Sequence, residues 1–398
     1  MQHVLFDISA HGFGHVAQTT VVINALNASR LRLTIRSMAP EKVLRARIKH
    51  PFTLIPYQQD EGMVMHTAMQ VNPQATWEWY ANFHANYAER CTAAARTLEQ
   101  LQPDIIFANV PYLSLAAAAQ VGIPSVAMCS LNWADLFQFY CGHQRGAERI
   151  HAQILDAYAQ ARYFLQATPS MPMSDLPNTL AIAPVALQGQ AHKQALHNQS
   201  GINVQTGPTP RFILNALGGG IGIHYPLANW PVLPGVYWIF PDESLTVKRP
   251  DFIALSQFKM PYLDILASCD LVVAKTGYGI QTEAVIHQKP LLCVDRLEWP
   301  EQPWLVDWHR HHGVMELISW PQLQSGQFGD TIMALLATTW DKPVIEPHGA
   351  REAASILHSV LAGATALTAE GKENVNGELV TSHWPLAIFS PLLLSNTK

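Results

Sequence analysis

Residues 275–283 read Lys275-Thr276-Gly277-Tyr278-Gly279-Ile280-Gln281-Thr282-Glu283, and the run Asp270-Leu271-Val272-Val273-Ala274 leads into them. The apolar run predicts a buried parallel strand. The glycine-bearing turn predicts a tight bend into a helix over Ile280 to Gln288, with Gly277 and Gly279 sparing the turn a Cβ clash. Unpaired N–H groups at such a helix start, together with the helix dipole, suit a phosphate. Glu283 falls one turn in, placed to accept hydrogen bonds from a ribose. A second apolar strand, Lys289 to Val294, is followed by the acidic-amide pair Glu301-Gln302. Strand, glycine turn, helix with Glu, strand, then an acid and an amide is a layout suited to a nucleotide sugar, gripped from phosphate to sugar hydroxyls.

Working outward, the chain alternates strand and helix signals. Val4 to Ile8 predicts the first strand, and the loop Ala10-His11-Gly12-Phe13-Gly14-His15 turns into a helix reaching about Asn27. Leu31 to Ile35, Asp104 to Ala108, Pro124 to Met128 and Tyr163 to Leu165 read as further strands. Between Pro184 and Pro210 the periodicity gives way to Gln, His, Asn, Gly and Pro, which predicts a linker over 185–210. A second alternating set follows from Phe212, with helix signals at 329–337 and 349–362. The expected division is therefore a first domain over 1–184, a second over 211–363, and a loose tail over 364–398. The fold class expected is α/β, with two doubly wound parallel sheets.

Composition sets bounds on function. The 398 residues suffice for two cores. Only 14% are charged and 48% are hydrophobic, as befits sheets buried on both faces. A net charge of −5 without a Lys/Arg cluster argues against nucleic acid as a partner. The five cysteines, Cys91, Cys129, Cys141, Cys269 and Cys293, show no CxxC spacing and predict buried free thiols in a reducing, cytoplasmic setting. The N-terminus shows no basic region followed by an apolar run, so export is not expected, and no segment reaches the uninterrupted apolar length of a spanning helix. The apolar stretch Trp384 to Leu394, broken by Pro385 and Pro391, suits docking on the protein itself or peripheral membrane contact.

Two such domains, each with a glycine turn after a strand, resemble the GT-B glycosyltransferases. Gly277, Glu283 and Glu301-Gln302 resemble the donor box of sugar-nucleotide transferases, with Lys275 where that family has a histidine, eight residues before the glutamate. His11-Gly12-Phe13-Gly14-His15, Lys275-Thr276-Gly277-Tyr278-Gly279 and Asn132-Trp133 are similar to the transferase-like N-terminal region of plant arabinokinases. The kinase module those proteins carry downstream is not expected here. The resemblance implies a metal-independent, inverting transfer from a nucleoside-diphosphate sugar, used as co-substrate with no further cofactor. The acceptor would be a small molecule, a glycan or a lipid-linked acceptor. It further implies donor diphosphate on the amides of Gly277 to Ile280 near Lys275, ribose on Glu283, and donor sugar on Glu301 and Gln302. The acceptor would lie near His11, Gly12, Gly14 and His15.

His15 is the candidate general base, since a histidine near neutral pKa takes a proton from a hydroxyl readily; the same residue could instead only cap the helix start. Related transferases orient that histidine with an aspartate, where the matching strand here ends in Asn109. Gly218-Gly219-Gly220, after the first strand of the second domain, suit an anion nest centred on Gly219 or a plain turn. The aromatic stretch Trp77 to Tyr87 predicts core packing, and the spacing of His309, His311 and His312 argues against zinc. An epimerase or hydrolase on the same fold, and a non-catalytic sugar-nucleotide-binding protein, are the alternatives.

Overall fold

The structure, a computed structural model, describes residues 1–67, 69–202, 208–217, 226–363 and the backbone of a hairpin at 372–375 and 378–381. The glycine nest expected around Gly219 and the apolar stretch from Trp384 lie outside the described residues.

The first sheet holds seven parallel strands: β1 (Gln2–Ile8), β2 (Leu31–Arg36), β3 (Thr53–Ile55), β4 (Ile105–Asn109), β5 (Ser125–Cys129), β6 (Tyr163–Ala167) and β7 (Thr179–Ile182). Their order is β3-β2-β1-β4-β5-β6-β7. The second holds six: β8 (Arg211–Ala216), β9 (Val236–Phe240), β10 (Phe252–Ala254), β11 (Leu271–Lys275), β12 (Leu291–Val294) and β13 (Met315–Ile318). Their order is β10-β9-β8-β11-β12-β13, again all parallel. β14 (Lys372–Val375) and β15 (Glu378–Thr381) pair antiparallel, within the segment expected to be a loose tail.

Helices α1 (Phe13–Ala25), α2 (Glu41–Arg47), α3 (Pro73–Ala85), α4 (Tyr87–Leu101), α5 (Leu113–Gln120), α6 (Trp133–Cys141) and α7 (Ala147–Ala159) accompany the first sheet. After it come α8 (Lys193–Gln199), α9 (Tyr262–Ser268), α10 (Tyr278–Ile286), α11 (Gln302–His312), α12 (Trp320–Ser325), α13 (Gly329–Ala337) and α14 (Gly349–Leu361). Strands such as Ile105–Asn109 and Leu271–Lys275 are apolar on both faces because helices cover each side of the sheet. In each sheet the strand order reverses about its first strand, β1 or β8. Ligands of such sheets bind beyond the carboxyl ends of strands at that reversal.

Two features depart from the expected division. The linker predicted over 185–210 contains α8, whose Leu196 is buried with Phe212 and Leu214 in the second unit's core. Its polar sequence reflects a short helix with one apolar anchor. The last long helix, α14, returns to the first unit: Ala350, Ala353, Ala354, Ile356 and Leu357 join the core of α1 and β1. Tyr278 of α10 and Leu305 of α11 enter that same core, so the seam between the units is itself packed. The five cysteines are buried and unpaired. Tyr80, Phe83 and Tyr87 are core, with Trp77 and Trp79 packed against it.

Candidate functional site at the seam

The loop after β1 and the loop after β12 meet across the seam. His11 stacks on Trp299 with ring planes 10° apart and centroids 6.2 Å apart, while its edge meets Trp133 at 5.2 Å. Trp299 belongs to the second unit in sequence, yet its side chain is buried in the first unit's core. The Arg296 guanidinium lies 4.2 Å from the Trp299 ring, a cation–π contact. Tyr140 of α6 donates its hydroxyl proton to the carbonyl of Glu298, tying α6 to this loop.

His15 sits in the first turn of α1, 8% exposed. Its Nδ1 is 3.0 Å from Asn109 Oδ1 at the end of β4. An amide oxygen only accepts, so Nδ1 carries the proton and Nε2 keeps the lone pair a base requires. Burial lowers the His15 pKa to about 4, against a partial rise from the Asn109 hydrogen bond. The ring is therefore neutral at pH 7, and its titration lies well below the near-neutral value expected from sequence. His11 is lowered further, to about 3, by burial first and then by His15. Its Nε2–H faces the Met63 carbonyl at 3.0 Å.

The loop leading to Met63 encloses this pair from the other side. Asp60, buried, accepts a 2.5 Å hydrogen bond from Trp133 Nε1. Burial raises its pKa to about 6, against the hydrogen bonds from Trp133 and Ser9. Gly62 has φ +64°, and a Cβ there would come within 2.9 Å of His11 and 2.8 Å of Trp133. No residue of this loop stood out in the sequence, since neither Asp60 nor Gly62 belongs to a motif and only the fold brings them to His11. A groove of about 270 Å³ lined by Gln58, Glu61, Trp79, Asn82 and Arg90 lies along the same loop, apart from the histidines.

On the second unit, α10 begins at Tyr278 with Gly277 as its N-cap. The Gly277 N–H is bonded to Gln281 Oε1 at 3.1 Å, while the first-turn amides of Tyr278, Gly279 and Ile280 have no carbonyl one turn earlier in the helix. A Cβ at Gly12, Gly14, Gly277 or Gly279 would meet nothing within 4 Å. Gly277 also has φ near 179°, which any residue adopts. The turn therefore needs no glycine to avoid a clash, contrary to expectation; the missing side chains leave its backbone approachable.

Lys275, at the end of β11, has a pKa lowered to about 8 by burial, with Arg296 adding repulsion. Glu283 is raised to about 7 by burial, offset by Arg47 of α2. Several expected ligand residues are engaged within the protein. The Tyr278 hydroxyl donates to the Thr168 carbonyl and accepts from the Val185 N–H, so this side chain joins the units and only its amide faces the helix start. Thr276 Oγ1 donates to Gln302 Oε1 at 2.7 Å, and that oxygen also accepts the Arg296 N–H. Gln302 Nε2 donates to Asp295. Glu301, 4% exposed, accepts from Trp299 Nε1 at 3.0 Å.

Arg296 was missed by the sequence reading. It sits just past β12, where ligands of parallel sheets bind, and with Lys275 it makes a second cation of the site. For metal ligands, Asp135, His151 and Asp175 place one atom each within 4.8 Å of one another, on a partly exposed face. His309 is buried, while His311 pairs with Asp307 and His312 stacks on Trp308.

Two doubly wound units facing across such a seam define the GT-B fold. No known family profile matches the chain. A stretch of 313 residues is 25% identical to L-arabinokinase from Arabidopsis thaliana, covering 76% of this chain and 29% of that protein. The chain thus spans less than a third of that relative's length. Among solved structures, it is similar to CalG4, the calicheamicin glycosyltransferase, with a TM-score of 0.58 and 15% identity over 90% of this chain and 94% of that one. It is also similar to a UDP-glucosyltransferase from Polygonum tinctorium, with a TM-score of 0.57 and 11% identity over 92% and 94% of the two chains. A third is the MurG of Acinetobacter baumannii, with a TM-score of 0.52 and 14% identity over 89% and 95%.

Proposed function

We propose that this protein transfers a sugar from a nucleoside-diphosphate sugar to an acceptor hydroxyl, by direct displacement with inversion and without a metal ion. The observation that carries the reading is the contact across the seam between α1, which bears a neutral His15, and α10, whose amide end is open. His15 Nε2 takes the acceptor proton as the hydroxyl attacks the sugar carbon. The leaving diphosphate collects negative charge against the amides of Tyr278 to Ile280 and the cations Lys275 and Arg296, preorganised charge of the kind such a departure needs. Glu283 holds the ribose. Glu301 and Gln302 face the donor sugar after exchanging some of their present protein partners for it. The acceptor lies on the first unit beside His11, Gly12 and Gly14. Buried free thiols suit a reducing compartment such as the cytoplasm, and no helix among the described residues is long and apolar enough to cross a membrane.

Thermal-shift screening against UDP-, GDP- and dTDP-sugars tests the donor half. A ligand bound only by the folded state at a hundred times its Kd adds about 2.7 kcal/mol of stability. Incubation of the stabilising donor with hydroxyl acceptors then tests transfer. Stabilisation by no nucleotide sugar would remove the reading. Asn109 favours a second reading, a sugar-nucleotide-binding protein without turnover, because an amide cannot balance the charge of an imidazolium as a carboxylate does. Binding without transfer or donor hydrolysis would select it.

A further inference from the structure

The loop from Tyr57 to Met63 serves two places at once. Toward the seam, Asp60 accepts from Trp133 Nε1 and the Met63 carbonyl faces His11. The chain neighbours of Asp60, Gln59 and Glu61, line instead the groove between this loop and helices α3 and α4, which neither Asp60 nor the two histidines line. That groove consists of two hollows that share Gln58, Phe83 and Arg90. The first, of about 270 Å³, carries the polar groups. The second, of about 200 Å³, continues over Tyr57, Ala93, Ala94 and Leu113 and is mainly apolar.

Gln59 is 6% exposed, yet its side-chain amide has no hydrogen-bond partner among the described residues. Such an amide carries two N–H donors and a carbonyl acceptor, and leaving them unmet inside a protein is costly. The groove is where they can be met. Arg90 repeats the pattern. Its guanidinium lies 4.8 Å from the centre of the Phe83 ring and forms no ion pair among the described residues, although the Glu61 carboxylate lines the same groove. Glu61 accepts instead from Gln58 Nε2. Trp79, half-buried, stacks on Phe83 with centroids 4.7 Å apart and planes 14° apart, and meets Tyr80 edge-on at 5.0 Å. Its ring is therefore held in place as a wall of the groove.

We propose that this groove is a second ligand site, for a neutral saccharide whose ring fills the polar hollow and whose apolar substituent fills the other. A sugar ring presents hydroxyls that both donate and accept, together with C–H groups. The amides of Gln58, Gln59 and Asn82 and the Glu61 carboxylate match the hydroxyls, and the Trp79 ring matches the C–H groups. One cation and one carboxylate cancel, so the groove has no net charge with which to collect an anion. Aromatic walls with a few convergent polar groups are the usual make-up of small-molecule sites. The site is separate from the donor and acceptor places proposed above and does not require that transfer occurs.

Fluorine NMR of the full-length protein labelled with fluorotryptophan reads the groove directly. The Trp79 and Trp133 signals are assigned through Trp79→Phe and Trp133→Phe. The ligands are methyl and phenyl pyranosides of glucose, galactose and mannose. At least one sugar should move the Trp79 signal saturably and leave Trp133 in place. Its phenyl glycoside should bind about threefold or more tighter than the methyl glycoside, through apolar area buried in the second hollow. Gln59→Leu should weaken binding by about fivefold or more while leaving the unliganded protein as stable as the parent or more so, since it removes a buried amide that has no partner. A Gln59 that serves only the fold would show the reverse, a lower melting temperature with affinity kept. Should Gln59→Leu not fold, the exposed Asn82→Ala reads the same hollow and should weaken binding by about threefold. Three results would overturn the proposal. One is a Trp79 signal that no pyranoside moves at tens of millimolar. Another is movement of Trp133 alone, which places the sugar at the histidines. The third is tighter binding of inorganic phosphate or phenyl glucuronide than of the neutral glycosides, which would make the groove an anion site of Arg90.

Discussion

On the first unit the seam is made of side chains that hold one another: His15 on Asn109, Asn109 on Gln18, His11 on the Met63 carbonyl, Trp133 on Asp60. On the second, beside side chains held in the same way, it offers open backbone: the start of α10 behind two glycines, with cations at the ends of β11 and β12. The first arrangement fixes the direction of a proton and tolerates little change. The second offers dipoles and charge to an anion and tolerates more, because no single side chain carries the grip. Mutation should therefore affect the two halves differently: steep losses of rate on the first, graded losses of affinity on the second.

The largest effect expected is at His15. His15→Ala should lower the transfer rate by about two to four orders of magnitude, the usual worth of a general base, while donor affinity measured by calorimetry stays near the parent's. Equal loss of affinity would show that the two halves are not separable. Because the neutral ring is the active form and its pKa is lowered to about 4, the parent's rate should be flat near pH 7 and fall as pH drops through about 4.

Leu357→Ala probes whether the units are independent bodies. Leu357 is wholly buried among first-unit residues although α14 follows the second sheet in sequence. Truncation should cost about 2–5 kcal/mol in denaturant unfolding, as for a fully enclosed leucine. A change below about 0.5 kcal/mol, typical of a surface site, would mean that α14 is only loosely attached.

On the second unit, Glu283→Ala should weaken nucleotide binding by about 1–3 kcal/mol, the cost of hydrogen bonds to a charged group, with the rate at saturating donor little altered. Unchanged affinity would free the ribose assignment from this residue.

The same contrast explains what could be read from sequence. The two sheets were legible because strands such as Leu271 to Ala274 are apolar throughout and regularly spaced between helical segments. The turn between β11 and α10 was legible for a related reason: it is written locally, in glycines at fixed offsets from a strand. The side-chain half was not. Gln18, Asp60 and Arg296 are ordinary polar residues in no motif, and they matter only because strand order brings distant loops together. The placement of α14 was hidden too, since an amphipathic helix does not say which apolar surface it will cover. The inward turn of Tyr278 escaped notice because a tyrosine in a glycine turn serves a ligand or a neighbouring backbone equally well.

Asn109→Asp gives the smallest expected effect and the sharpest view of the first half of the seam. The new carboxylate still accepts from His15 Nδ1, so geometry and tautomer should hold. A negative charge about 3 Å from the ring favours imidazolium and should raise the His15 pKa by roughly one to three units. The sign follows from which form reacts: the neutral ring is the base, so the acid limb of the rate profile moves up from about 4 toward neutrality. At pH 7 at least about half of the ring stays neutral and it is a stronger base, so the rate should rise only severalfold. The carboxylate also meets Gln18, which must turn its NH₂ toward it and give up its hydrogen bond to the Ser130 hydroxyl. A pH–rate profile of the variant beside the parent's measures all of this. An acid limb that stays in place would mean that His15 does not accept the proton, and that another group of the seam serves as the base.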